Sequence, residues 1–206
     1  MISAKLLMTV TAIFLFAIFT STSARTGEKT YSWNIVKEHS SVNFAVTHLM
    51  VSKVRGTFRE FSGTVTADRD GRISALEGIV MTGSIDTGIK MRDDHLRSPE
   101  FFDSVKYPEM KAVLKKITWN GDKFTADGEL TIKGITKPMQ ADGEFHGARM
   151  VDLGKGDMLF AGYSVMATVN RKDFGLNFSR IVNGTVMVGD MVEVYGDLEM
   201  AMPAVK

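Results

Sequence analysis

The chain has 206 residues, with 25 Lys and Arg against 24 Asp and Glu, for a formal net charge of +1. That length suits one domain with a full core, and the charge balance points to neither nucleic acid nor a charged membrane surface as a partner. The absence of cysteine excludes a disulfide framework and thiol chemistry.

Met1–Ala24 reads as a cleaved secretory signal peptide. Lys5 supplies the positive start, Leu6–Phe19 the apolar run, and Thr22-Ser23-Ala24 the small-residue cleavage site. The apolar run of about 14 residues falls short of the ~20 needed to span a bilayer, so no integral membrane anchor is expected. With no cysteine behind the run, a lipoprotein anchor is not expected either. Cleavage there leaves residues 25–206 as a single domain with 24 basic and 24 acidic residues, and predicts a periplasmic location.

Tyr31–Val36 is predicted as a first strand, with Tyr31, Trp33 and Ile35 on one face. Val42, Phe44, Val46 and His48 alternate with Ser41, Asn43, Ala45 and Thr47, the period of two of a strand with one wet face. Val54–Phe58 and Phe61–Asp68 follow, and Arg69-Asp70-Gly71 turns into a long run, Ile73–Asp86. Along that run Ala75, Glu77, Ile79, Met81, Gly83 and Ile85 share a face, which would put Glu77 near an open end.

The segment Met91–Pro108 (MRDDHLRSPEFFDSVKYP) breaks the rhythm. It predicts a helical insert over about residues 90–106, in two short pieces kinked at Ser98-Pro99, where serine would cap and proline would start the second piece. Tyr107-Pro108 ends it. Asp93 and Arg97, four apart, are placed to pair along the first piece, and Leu96, Phe101 and Phe102 must bury against something.

Strands resume with Met110–Trp119, the hairpin signal Asn120-Gly121-Asp122, Phe124–Ile132, the turn Lys133-Gly134, and Ile135–Phe145. Gly147–Gly156 reads as an exposed loop. The strand Leu159–Asn170, a turn at Arg171–Gly175, an irregular or short strand segment Val182–Val188, and Asp190–Met200 complete the chain, the last with Val192, Val194, Leu198 and Met200 on one face. Eight or nine strands at hairpin spacing with one helical insert predict an all-β fold. Strands of this length favour an antiparallel barrel over a sandwich, because closure removes long edges. An eight-stranded barrel can hold one small ligand.

Catalytic signals are weak. His39, His48, His95 and His146 are scattered, with no HxH or HExxH, so no metal site is expected. There is no GxSxG elbow and no Gly-rich loop opening a helix. Nothing fixes Glu77 and Asp86 as a carboxylate pair. The 14 methionines show no clustered spacing and read as adaptable apolar filler.

HSSVNFAVTHLMVSKVRGTFREFSGTV (His39–Val65) resembles the opening of the YceI-like proteins, a lipocalin-like polyisoprenoid-binding family. SIDTGIKMRDDHLRSPEFFDSVKYPEM (Ser84–Met110) is similar to the family's central signature, and GELTIKGITKP (Gly128–Pro138) and NRKDFGL (Asn170–Leu176) to its third and fourth. The resemblance runs from about Tyr31 to Met200 in one order. It implies a small exported protein whose extended, eight-stranded lipocalin-like barrel holds a long amphipathic lipid, a polyisoprenoid, a quinone-like lipid or a fatty-acyl derivative. Transport, storage or sequestration would follow, with no catalysis and no cofactor beyond the bound lipid; a homodimer is compatible with it.

On that reading Val42, Phe44 and Val46 line the interior, continued by Phe58, Phe61, Ile79, Met81, Ile85, Met110 and Leu114. Leu96, Phe101 and Phe102 pack down as a lid, with Phe174 near the same mouth. His48, Arg92, Asp93 and His95 either orient a head group or tie the insert to the barrel, the latter by pairing Arg92, Arg97 or Arg171 with Asp93, Asp103 or Asp173. Ala112, where the family often carries a large apolar residue, and Gly83 would widen the tunnel. The alternative is an accessory or enzyme acting on a bound quinone or lipid. It needs a titratable pair in the pocket, for which His48 with Asp93 or Asp94 are the candidates. A filled barrel serving as an interaction module would hold no lipid.

Overall fold

The computed structural model describes residues 29–154 and 156–204, so the expected leader lies outside the described residues. The strands in chain order are β1 (Tyr31–Ile35), β2 (Ser41–His48), β3 (Ser52–Phe58), β4 (Phe61–Ala67), β5 (Ile73–Met81) and β6 (Ile85–Asp86). The helix α1 (Lys90–Arg97) follows. Then come β7 (Glu109–Asn120), β8 (Lys123–Ile132), β9 (Ile135–Asp152), β10 (Asp157–Asn170), the short pair β11 (Ile181–Val182) and β12 (Thr185–Val186), and β13 (Val188–Pro203).

The fold is a closed eight-stranded antiparallel barrel. The ring runs β1-β4-β5-β7-β8-β9-β10-β13, and β13 returns to β1 through Asn34↔Ala201 and Ile35↔Met200. The other half of β13 pairs with β2, from Val188↔His48 to Asp197↔Ser41. β1 and β2 are therefore one wall position, bent at the single turn Lys37–His39. β3 and β4 share the next position, bent at Arg59-Glu60, and β5 and β6 the third, bent at Thr82–Ser84. Antiparallel pairing then sorts the connections by end. The β4–β5, β7–β8 and β9–β10 turns lie at one end. The β2–β3 and β8–β9 turns, α1 and the 171–187 segment lie at the other.

A lower core fills the first end. Trp33, Val65, Phe124, Phe145, Tyr163, Met200 and Met202 are buried there. The aromatic rings interlock, with Phe145 and Tyr163 centroids 4.9 Å apart, a contact worth about 0.5–1.5 kcal/mol beyond the area buried. Trp33 Nε1 donates to the Asp68 carbonyl (3.2 Å), and the Tyr163 hydroxyl donates to the Gly71 carbonyl, so both polar tips are satisfied at the β4–β5 turn. Burial pushes the Tyr163 phenol well above its ordinary range, which keeps it a neutral donor.

Three expectations need correction. Only one helical piece forms. α1 ends at Ser98, whose extended backbone (φ −70°, ψ 167°) is what a following proline imposes, and Ser98 Oγ is buried without a hydrogen-bond partner among the described residues, so it caps nothing. Residues 99–107 are successive turns held by bonds such as Asp103 N–H to Ser98 O (2.9 Å). Ile73–Asp86 is not one strand either: Thr82 donates to the Pro108 and Tyr107 carbonyls (both 2.8 Å), and the turn there shifts the alternation by one residue. Leu76 and Val80 therefore pack inward, while Glu77 is exposed on the outer wall. Gly147–Gly156 is not a loop: β9 continues to Asp152 opposite β10, and Gly147, at φ 94°, takes up the one-residue bulge that lets it do so.

Candidate functional site

Between the lower core and the far end lies a cavity of about 360 Å³, its surface almost wholly apolar. Wall residues come from every long strand because the inward alternation converges there. β2 supplies Val42, Phe44 and Val46, β8 Leu130 and Ile132, β10 Val165 and Val169, and β13 Val192, Val194 and Leu198. Where β5 crosses β7, the directly paired Gly78 and Ala112 both border the cavity. A Cβ on Gly78 would meet nothing nearer than 3.8 Å, so the missing side chains there are cavity volume.

The far end is covered from two sides. α1 and the 98–108 turns descend from one side and bring Leu96, Phe101 and Phe102 onto the cavity. Arg171–Phe178 comes from the other side. The two meet where the His95 ring packs edge-on against Phe101 and Phe178, with His95–Phe101 centroids 5.0 Å apart, His95–Phe178 5.1 Å and Phe101–Phe178 4.9 Å. Phe58, Ile85, Met110, Phe174 and Leu176 are buried under this seam.

Each cover is pinned by an arginine reaching backbone carbonyls. Arg97 donates to Gly83 O (2.8 Å) and Ile85 O (2.6 Å) and pairs with Asp94 (3.2 Å). The expected pairing with Asp93 does not form. Asp93 is buried and accepts from the Thr87 N–H (2.9 Å), while Arg92 donates to Thr87 Oγ1 (2.7 Å) and Thr87 O (2.9 Å). Arg171 is buried, donates to Gly189 O (2.9 Å) and to Leu176 O, and pairs with Asp190 (3.0 Å), not with Asp173 or Asp103. Burial disfavours the Arg171 charge, an effect that Asp190 offsets only in part. Asp190 is held below the ordinary carboxylate range, chiefly by the Lys172 hydrogen bond and then by the Lys172 and Arg171 charges.

Of the residues expected around the ligand, Val42, Phe44, Val46, Phe58, Phe61, Ile79, Ile85, Leu96, Phe101, Phe102 and Met110 border the cavity. Leu114 packs against the lower core and Phe174 within the cover; neither they nor Met81 border it. His48, Arg92, Asp93 and His95 do not border it either. Arg92 and Asp93 converge on Thr87, His95 bonds Glu100, and His48 sits opposite Ser52 and Val188 at the end of β2. Gly83 is exposed in the β5–β6 bend, so Gly78 takes the spacious place beside Ala112. Leu130, Val165 and Val169 were readable as alternating apolar positions. Gly78 carries no side chain to signal anything.

The YceI-like domain family matches residues 33–200 of this chain. A UPF0312 protein of Staphylococcus epidermidis is 35% identical over 176 residues, covering 82% of this chain and 97% of that protein. Among solved structures, a Campylobacter jejuni YCEI protein is 26% identical with a TM-score of 0.65, covering 77% of this chain and 90% of that one. A polyisoprenoid binding domain from Saccharophagus degradans, 13% identical, shares the fold with a TM-score of 0.60 over 83% of this chain and 98% of that one.

Proposed function

This chain belongs to the YceI-like domain family, and from that premise we propose that it holds a long amphipathic lipid, a polyisoprenoid, quinone-like or fatty-acyl species, inside its barrel. The observation that carries the reading is the apolar cavity of about 360 Å³ that lies between two layers of side chains. That size is within the ~300–1,000 Å³ of small-molecule sites. Enclosing about 400 Å² of prenyl or acyl chain at ~25 cal/mol per Å² is worth roughly 10 kcal/mol before association costs. Losing about 2 kcal/mol of it still leaves micromolar binding, and losing half leaves a dissociation constant on the order of 0.2 mM. The polyisoprenoid binding domain of Saccharophagus degradans, alike in fold, adds support for this ligand class.

Such a site selects by length and girth, which suits transport, storage or sequestration. Chemistry on the ligand would need an acid–base pair facing it. The ionisable residues bordering the cavity are Lys111, Arg171 and Asp197, and Arg171 is committed to Asp190. Asp93 and Asp94 are engaged with Thr87 and with Lys90 and Arg97. We therefore favour the carrier over the enzyme. The leader-like composition of Met1–Ala24 supports export to the periplasm.

Organic extraction of the purified protein, with mass spectrometry against a mock-purified control, tests the reading. A stoichiometric long-chain lipid is the expected result. A protein that comes empty and takes up no added prenyl or quinone lipid would overturn it.

A further inference from the structure

We propose that the covered end of the barrel docks on an anionic lipid bilayer through two joined tips, Leu49–Val51 and Arg180–Met187; the proposal rests on the reading that the ligand is a lipid. The tips are neighbours. Leu49 N–H donates to Met187 O (3.0 Å), and His48 pairs with Val188 beside them. Both belong to the end where α1 and the 171–178 segment close the cavity, so a surface reached by the tips faces the cover through which a ligand would pass.

Their side chains are wrong for water. Val51 is 84% exposed, Met50 67% and Ile181 66%. Two of the residues that present them are non-glycines at positive φ, Leu49 at 49° and Met50 at 60°. Backbone of that kind costs free energy and persists where the surroundings enforce it. The β11–β12 ribbon turns through Asn183 (φ 49°) and Gly184 (φ 79°), a tight hairpin that projects Ile181 and Val186 on a short stiff arm.

Charge decides the partner. From Val46 to Val54 and from Phe174 to Gly189 the charged residues are Lys53 and Arg180, with no acid. Lys53 shares its charge with Glu193, while Arg180 makes no ion pair among the described residues. Apolar side chains flanked by bases are the composition of an interfacial anchor on anionic lipid. The barrel's opposite end makes the contrast. Its β9–β10 tip also exposes Met150 and Leu153, but there Asp152 and Asp157 offset Arg149 and Lys155, so that tip carries no net positive charge. The near-neutral chain thus carries, at its covered end, two apolar tips with bases and no acid, while the tip at the opposite end is charge-balanced.

Flotation of the exported protein after leader cleavage, with vesicles of phosphatidylcholine containing phosphatidylglycerol, tests this against a Val51→Asp/Ile181→Asp double variant with the same N-terminus. Both sites are exposed, so the variant keeps its fold, which its circular dichroism melt verifies. The protein is expected to float, the double variant to bind at least about tenfold more weakly, and Arg180→Glu to reduce the preference for anionic over zwitterionic vesicles about fivefold. Uptake of a prenyl quinone from detergent micelles, with no bilayer present, is expected to be equal in all three. A wild-type protein that does not float, or a double variant that floats as well, overturns the proposal. So does light scattering that finds a dimer only in the wild type with vesicles absent, since the tips would then be an interface between copies. Flotation through the tips without micelle uptake would leave the docking surface standing and remove the lipid-holding reading.

Discussion

Gly143 stands where a side chain would strike a ring. A Cβ there would fall 2.3 Å from Phe124 Cζ and 2.6 Å from the Ser164 carbonyl oxygen, and the carbonyl belongs to strand backbone that cannot yield. Gly143→Ala is therefore expected to cost about 1–3 kcal/mol by overpacking the lower core, seen as a lower urea midpoint at unchanged slope. Asp93 carries a different kind of constraint. Its buried carboxylate accepts from Thr87 N–H in the loop that feeds α1. Asp93→Ala leaves that donor unsatisfied, a loss of about 1–3 kcal/mol, with faster amide exchange expected along Thr87–Leu96. If stability and exchange were unchanged while lipid uptake fell, Asp93 would be a head-group residue instead of a brace.

At the scale of elements, what could be read in advance depended on how many faces of a segment are apolar. Val42, Phe44 and Val46 alternate with polar neighbours, so their inward direction is legible, and all three border the cavity. In β5 the faces Leu76/Gly78/Val80 and Ile79/Met81 are both apolar, and alternation cannot choose between them; the bend at Thr82–Ser84, set by carbonyls of the distant Tyr107 and Pro108, makes the choice. Ser98-Pro99 suits a helix start and a helix stop equally, and only the exit geometry of α1 decides for the stop. The cover formed by 171–189 owes its place to Arg171, whose tie to Asp190 no spacing rule reveals. That tie predicts a pH effect. Asp190 titrates lower in the folded protein than unfolded, so its contribution is present above the ordinary carboxylate range and is lost as pH falls through its lowered folded value. Below that range Arg171 stays charged and buried with its counter-charge gone. The protection of amides over residues 171–189, measured relative to the unfolded-chain exchange rate at each pH, is expected to fall at acid pH, and Asp190→Asn to show the lowered protection already at neutral pH. Equal acid sensitivity in wild type and variant would place the effect in other carboxylates.

The whole molecule is three layers in one barrel: a solid aromatic floor, an apolar cavity, and a two-part cover. A chain lying along the barrel axis is then limited by where the floor begins, and residues bordering both layers set its length. Leu76 is such a residue, packed against the lower core and bordering the cavity, while Ala112 lies across the wall beside Gly78. Ala112→Phe puts a ring into the cavity. It is expected to shorten the bound chain or lower occupancy at least about tenfold, the effect of ~1.4 kcal/mol, with the melting temperature of the empty protein kept or raised because the void is filled. Leu76→Ala removes part of the floor, and some loss of stability, about 2 kcal/mol, follows from the vacated space. Its extracted lipid should be longer than the wild type's when both proteins are loaded from one mixture of prenyl quinones of graded tail length. Opposite shifts from the two variants would make the barrel a length gauge with its stop at the lower core. Identical chain lengths in all three would mean that the tail does not reach the floor, and the selectivity would then belong to the cover, where Phe101, Phe102 and Leu96 close on whatever lies beneath them.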